Sequence, residues 1–343
     1  MVIMKKVLVY DAVGMVLAHD LTQIIPGECK GRRFKKGHVI APEDIEVLLS
    51  MGRKHLFVVD KEDTDIHEDD AAMRIATAAA GKGIRLVAPG EGKIELVAEY
   101  DGLLKVNTAM LSQLIDQDEI MFATIHENQM VKKDQKVAGT RVIPLFVNES
   151  IVTGAEQVCR NGTLIEVLPL RKLKVGLVTT GSEVYSGRIK DAFGPVLREK
   201  FGNLGSEVVK QLFSDDDEDM IAGCIKQLID EGVDMIGVTG GMSVDPDDKT
   251  PTGIRKAGGH IITYGAPVLP GAMFMLAYIG HIPVVGLPGC VMYSRVSIFD
   301  LVVPRILAGE ILTRTDIKKL AHGGLCQSCE NCTYPNCGFG KSY

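Results

Sequence analysis

The chain has 343 residues, 46% hydrophobic and 24% charged, which excludes a disordered or fibrous protein and leaves length for at least two domains. Its formal charge of −6 is spread along the chain instead of gathered into basic patches, which excludes nucleic acid as the main partner. A small molecule is the expected partner.

The opening "MVIMKKVLVYDAVG" places basic residues before an apolar run that Asp11 interrupts after about four residues, too short for a secretory signal, so the expected location is the cytoplasm. "GHVIAPEDIEVLLSMGRKHLFVVD" predicts a turn, a helix from Pro42 with acids in its first turn, and the strand "HLFVV". "EDDAAMRIATAAAGKG" predicts a second helix, stopped by Gly81 and Gly83. The runs "IRLVA", "KIELVAEY", "EIMFATI" and "KVAGTRVIPL" predict strands, with a short helix over "TAMLSQLID". Residues 1–170 therefore read as a small α+β or β-rich module without a catalytic motif.

From Lys172 the pattern changes. "LKVGLVTTG", "SEVVKQLFS" and "VDMIGVTGG" are strand-like and alternate with the helical "DAFGPVLREKFGNLG", "DEDMIAGCIKQLIDEG" and "TPTGIRKAGG". This alternation predicts βαβ units and a three-layer α/β domain whose mostly parallel sheet is covered on both faces. The stretch "PGAMFMLAYIGHIPVVGLPGCVMY" is long and apolar enough to raise a membrane span. Gly280, His281, Pro283, Gly286, Pro288 and Gly289 break it, and two buried strands joined by a turn are expected instead, with no membrane association. A final helix over "YSRVSIFDLVVPRILAGE" carries Pro304, where a kink is expected.

Ligands on such sheets bind beyond the carboxyl ends of the strands, and three loops there carry unusual chemistry. "TTGSEVYSGRIKD" offers Thr180, Gly181, Ser182, Ser186 and Gly187 before Asp191, a turn whose N–H groups suit phosphate; Asp191 reads equally as a helix cap. "LFSDDDEDM" opens a helix with Asp215, Asp216 and Asp217. These acids suit a helix dipole, and also a divalent metal or a substrate amine. "TGGMSVDPDDKTP" pairs Gly240 and Gly241, which let backbone approach a ligand, with acids that suit Mg²⁺.

Cys326, Cys329, Cys332 and Cys337 form a C-x2-C-x2-C-x4-C array, a spacing that suits Zn²⁺ or an iron–sulfur cluster; a flexible reduced tail is the other reading. Residues 313–343 are thus expected to be a Cys-rich tail, following a domain over 171–312. His67, His126 and His260 are scattered singly and read as ordinary polar residues.

Together "GLVTTGSEVYSGRIKD", "SDDDEDMI", "TGGMSVDPDDKTP" and "VVGLPG" resemble, in order and spacing, the molybdopterin-binding domain shared by molybdopterin adenylyltransferases and molybdopterin molybdenumtransferases. The resemblance runs from 172 to about 310. It implies that Asp248 is a catalytic acid able to hold Mg²⁺, followed by Thr250 and Pro251, and that the preceding acidic site falls within Asp215 and Asp216. It further implies a molybdopterin site built from Thr180, Gly181, Ser182, Ser186, Gly187, Asp191, Gly240, Gly241, Ser243, Thr250, Pro288 and Gly289. The chain departs from the family pattern with Met242 and Ser243 in place of a glycine pair, Asp245 for a glycine, Asp247 for an arginine, Leu269 for a lysine, and Cys290 and Val291 after "GLPG"; these changes lower the positive charge. The N-terminal "VGMVLAHDLTQ" and "FKKGHVIAPEDIEVLLSMG" resemble pieces of the molybdenumtransferase's accessory domains.

What the resemblance implies is a transferase of molybdenum cofactor biosynthesis, acting by Mg-dependent adenylyl transfer from ATP or by molybdate insertion. Its partners would be the pterin, a nucleotide and a molybdoenzyme or cofactor-pathway protein, and its state a homo-oligomer. Two alternatives keep the fold: a non-catalytic cofactor carrier or sensor, and a nucleotide pyrophosphatase.

Overall fold

The structure, a computed structural model, describes residues 5–25, 29–59, 66–90, 92–243, 245–246 and 248–341. The chain divides into two compact units, one formed by 1–99, 106–125 and 133–166, the other by 100–105, 126–132 and 167–343.

The first unit is β-rich. Strands Lys5–Leu8, His55–Val59 and Val16–Leu17 form an antiparallel sheet that packs on helix Asp44–Ser50 around Val9, Leu17, Leu48 and Leu56. A second antiparallel sheet runs in the order Ile120–Thr124, Lys136–Val142, Lys93–Ala98 and Ile84–Gly90. Helix Glu68–Ala79 starts at buried His67, whose Nδ1 accepts the Asp69 N–H at 3.2 Å. Its Arg74 forks onto Glu156 at 2.8 and 3.0 Å. Glu156 sits on helix Glu149–Arg160, which the sequence reading passed over although Asn148 caps it and Val152, Ala155 and Cys159 form its buried stripe.

The second unit is built on one sheet. Its strands are β1 (Lys174–Thr180), β2 (Glu207–Ser214), β3 (Met235–Thr239), β4 (His260–Tyr264), β5 (Met275–Ile279) and β6 (Ile282–Leu287). The order is β2-β1-β3-β6-β5-β4; the first three pairings are parallel and the last two antiparallel. The sheet is therefore mostly parallel, as the alternating pattern predicts, and the expected pair of buried strands appears as the β5–β6 hairpin turning at Gly280 and His281.

Strand geometry explains the layers, because successive side chains point to opposite faces. Val175, Leu177, Met235, Leu276, Val285 and Leu287 meet helices α2 (Phe193–Asn203) and α6 (Ile298–Leu307), which follow the short α1 (Ser182–Tyr185) and α5 (Cys290–Tyr293) respectively. Val178, Ile236, Val238, Met275, Ala277 and Val284 meet α3 (Glu218–Asp230) and α4 (Thr250–Lys256). The final helix expected over 293–310 is shorter, α6 beginning only at Ile298. Ser297 and Asp300 build a capping box that restarts the chain after Ser294, and Pro304 lies inside α6, where it removes a backbone donor.

The cysteine-bearing segment packs on the second unit's core. Phe339 is buried in the α2/α6 core, and Tyr334, Cys326 and Cys337 pack against it. Among the described residues no helix is long and apolar enough to cross a membrane.

Two side-chain groups hold this unit strongly enough to test. Phe201 and Phe299 are buried and meet edge to face at 5.0 Å. Phe201→Ala should cost about 3–5 kcal/mol, measured as a fall in urea-unfolding free energy. Glu310 receives Arg305 at 2.7 Å and Lys105 at 2.9 Å. Burial opposes its ionisation, but these cations outweigh burial and hold its carboxyl below the usual range. The stability it contributes is thus full above the ordinary glutamate value of about 4.3 and drains as pH falls through the lower folded-state value. Glu310→Gln should remove about 2 kcal/mol at neutral pH and flatten the acid side of a stability-against-pH curve.

Candidate functional site

Strand register places the unusual loops side by side. Thr180 pairs with Ser214, Thr179 with Thr239, and Thr239 with Leu287. The segments beginning at Gly181, Asp215, Gly240 and Pro288 consequently leave neighbouring strands at the same edge.

Threonines fasten these strand ends together. Thr179, Thr180, Thr239 and Thr250 are all buried, so their hydroxyls need partners. Thr239 Oγ1 reaches Thr179 Oγ1 at 3.4 Å, and Gln211 Nε2 donates to Thr179 Oγ1 at 2.9 Å and to Asp191 at 2.7 Å. Gly240 adopts a φ of +85°, and a Cβ there would lie 2.3 Å from the Thr180 carbonyl oxygen; only glycine lets the two loops touch. Thr250 Oγ1 donates to the Gly240 carbonyl at 2.8 Å and lies 3.2 Å from Thr180 Oγ1. Because each hydroxyl has one proton, Thr180 is the donor to Thr250.

The acids each hold a backbone N–H, Asp215 that of Asp216 at 2.9 Å, but in different places. Asp217 caps α3 by accepting the Met220 N–H at 2.8 Å. Asp191 accepts the N–H groups of Phe193 and Gly194 at 2.9 and 3.0 Å, the cap role read as one alternative from sequence. Asp216 instead accepts the Ser182 N–H at 3.0 Å, which ties the second loop to the first. Burial, together with the nearby charges of Glu183, Asp215 and Asp248, pushes the Asp216 carboxyl above the usual carboxylate range, and the Ser182 bond only partly offsets this.

Asp248 closes its own turn: its Oδ2 accepts the Asp245 N–H at 3.1 Å, while its N–H donates to the Asp245 carbonyl at 3.0 Å. Asp247 lies outside the described residues. Tyr264 Oη donates toward the carbonyls of Met242 and Ser243, each 3.0 Å away, and so pins the start of this loop from β4. Burial and the Asp248 charge push its phenol up.

Ser186 turns its hydroxyl back onto the Ser182 carbonyl at 2.6 Å, and Gly187 follows with a φ of +74°. Pro288 and Gly289 lead into α5, where the Val291 N–H donates to the Pro288 carbonyl at 3.0 Å. Cys290 starts α5, and burial pushes its thiol up.

The four tail cysteines are free thiols and line one cavity of about 560 Å³. Among the described residues no group of three or more His, Cys, Asp or Glu side chains is placed to hold a metal ion.

Thr180, Gly181, Ser182, Asp215, Asp216, Gly240, Gly241, Asp248 and Thr250 thus belong to one connected edge. Thr179, Thr239, Gln211, Glu183 and Tyr264 complete it and were missed from sequence. The threonines ending "VTT" and "GVT" were the available signal, since a polar residue closing a buried strand needs a partner.

The family model described as "Probable molybdopterin binding domain" matches residues 176–308, and one described as a domain of unknown function matches 6–60. A CinA-like protein of Mycobacterium avium is 33% identical over 95 residues, covering 28% of this chain and 22% of that protein. A molybdopterin molybdenumtransferase of Synechococcus elongatus is 30% identical over 114 residues, covering 31% and 28%. The chain thus spans less than a third of the length of either relative. The crystal structure of the molybdopterin biosynthesis enzyme MoaB from Thermus thermophilus aligns with 40% of this chain and 98% of its own, at 20% identity and a TM-score of 0.33. The protein CinA from Thermoplasma acidophilum aligns with 34% and 89%, at 19% identity and a TM-score of 0.29. Residues 176–308, the part of the second unit that carries the threonine-fastened edge, belong to the molybdopterin-binding domain family.

Proposed function

We propose that the domain over 171–312 binds molybdopterin at this edge and transfers an adenylyl group from ATP to the pterin's terminal phosphate, releasing pyrophosphate. The observation that carries the reading is the contact of Gly240 with Thr180, bridged by Thr250, which joins the first and third loops. The pterin's terminal phosphate would take N–H groups from the loop spanning Thr180, Gly181, Ser182, Ser186 and Gly187, and from Gly240 and Gly241. Ser243, Pro288 and Gly289 would flank that position, and Asp191 would stiffen it through Gln211, which donates to it.

The acids bear on the second substrate. Glu183, Asp215, Asp216 and Asp248 concentrate negative charge, so two phosphate-bearing substrates need a counterion. Mg²⁺ fits this donor set: it uses one or two carboxylates and completes its shell with phosphate oxygens and water, so it does not require a three-acid cage. Asp248, with Asp215 or Asp216, would hold it, and when bound it neutralises charge on the transferring phosphoryl group. The chain itself orients the two phosphates and supplies no covalent step. The same acid cluster favours a second reading, hydrolysis of a nucleotide pyrophosphate on this edge.

Purified protein incubated with molybdopterin and Mg-ATP should yield adenylated pterin, and Asp248→Asn should lower the rate by about 10²–10³. Tight pterin binding without product would instead identify a carrier or sensor, and turnover of ADP-ribose-like nucleotides alone would identify the hydrolase. Gly240→Ala should separate the first and third loops and abolish pterin retention in equilibrium dialysis; unchanged retention would place the pterin elsewhere.

A further inference from the structure

The C-terminal segment raises a question independent of the pterin edge: why four thiols stand around one cavity. Cys326 and Cys337 are half-buried against the α2/α6 core, whereas Cys329 and Cys332 are exposed. Exposed free thiols are reactive liabilities, and the intervening residues Gln327, Ser328, Glu330, Asn331 and Thr333 offer no apolar anchor.

The loop is nevertheless held at both ends. The Cys326 N–H donates to the Leu269 carbonyl at 2.8 Å, and the Gly340 N–H donates to the Gly323 carbonyl at 2.9 Å. Tyr334 Oη donates to the Asp300 carbonyl at 2.9 Å. A Cβ at Gly340 would lie 2.3 Å from a Leu301 methyl, so the chain returns to the core where no larger residue fits. Between these anchors Arg295 Nη1 donates to the Glu330 carbonyl at 3.2 Å, which sets a guanidinium in the cavity wall.

A single zinc ion requires its thiolates at about 2.3 Å from one point. Among the described residues no three such side chains are placed around one ion; the four thiols line a cavity of about 560 Å³. The C-x2-C-x2-C start of the array is the spacing of cysteine runs that hold iron–sulfur clusters, whose ligands are distributed over separate irons. We propose that Cys326, Cys329, Cys332 and Cys337 carry an iron–sulfur cluster in this cavity, with Arg295 balancing part of its negative charge. Each thiol releases its proton as its sulfur binds iron.

The test is anaerobic reconstitution of the full chain with ferric iron, sulfide and a thiol that reduces part of the iron, with a second sample offered zinc as well. The expected result is a brown protein with iron and acid-labile sulfide in equal amounts. In the Cys329→Ser/Cys332→Ser variant both should fall to background while the elution volume and circular dichroism stay those of the parent. Retention of zinc without sulfide when both metals are offered, absence of retained iron, or a chromophore that survives the double substitution would each overturn the assignment. Because the thiols lie outside the pterin edge, these outcomes are read independently of pterin binding.

Discussion

The second unit depends on a close approach between two backbones. Gly240 comes against the Thr180 carbonyl with no side chain between them, and one hydroxyl, that of Thr250, spans the junction. A parallel sheet leaves its strand ends to diverge into separate loops unless something joins them. Here the joint is a hydrogen-bonded chain of buried threonines, and hydrogen bonds in such a setting are costly to leave unmade. The loops on this edge are consequently a shared wall and not three independent turns.

Electrostatics act in the opposite direction to packing. The wall gathers Glu183, Asp215, Asp216 and Asp248, and Asp216 resists losing its proton because of where it is buried and what surrounds it. Carboxylates that merely cap a helix, such as Asp217 with its Met220 partner, are relieved by N–H groups and by the dipole. Asp215, Asp216 and Asp248 each accept one N–H as well, yet Asp216 is still pushed up by burial and its neighbours' charge. Acids in such different surroundings occur in runs that look alike in sequence.

Much of the architecture was legible because it follows from periodicity. Apolar residues on both faces of Lys174–Thr180 and Met235–Thr239 announce a doubly covered strand, and the breaks at Gly280 and His281 announce a hairpin. The joints were less legible because they depend on register across the sheet: nothing local says that Thr179 faces Thr239 or that Gln211 reaches Asp191. Helix Glu149–Arg160 was hidden by Thr153 and Gly154 in its middle, residues of weak helix preference, although its Asn148 cap and buried stripe were present. Asp191 illustrates the remaining limit, since capping and ligand binding demand the same residue at the same place.

Phe339 has a consequence for truncation. Its ring belongs to the same core as Phe201 and Phe299, and Gly340 beside it is tied to Gly323. A chain shortened ahead of Phe339 would leave a hole in the interior as well as an unanchored thiol-bearing loop.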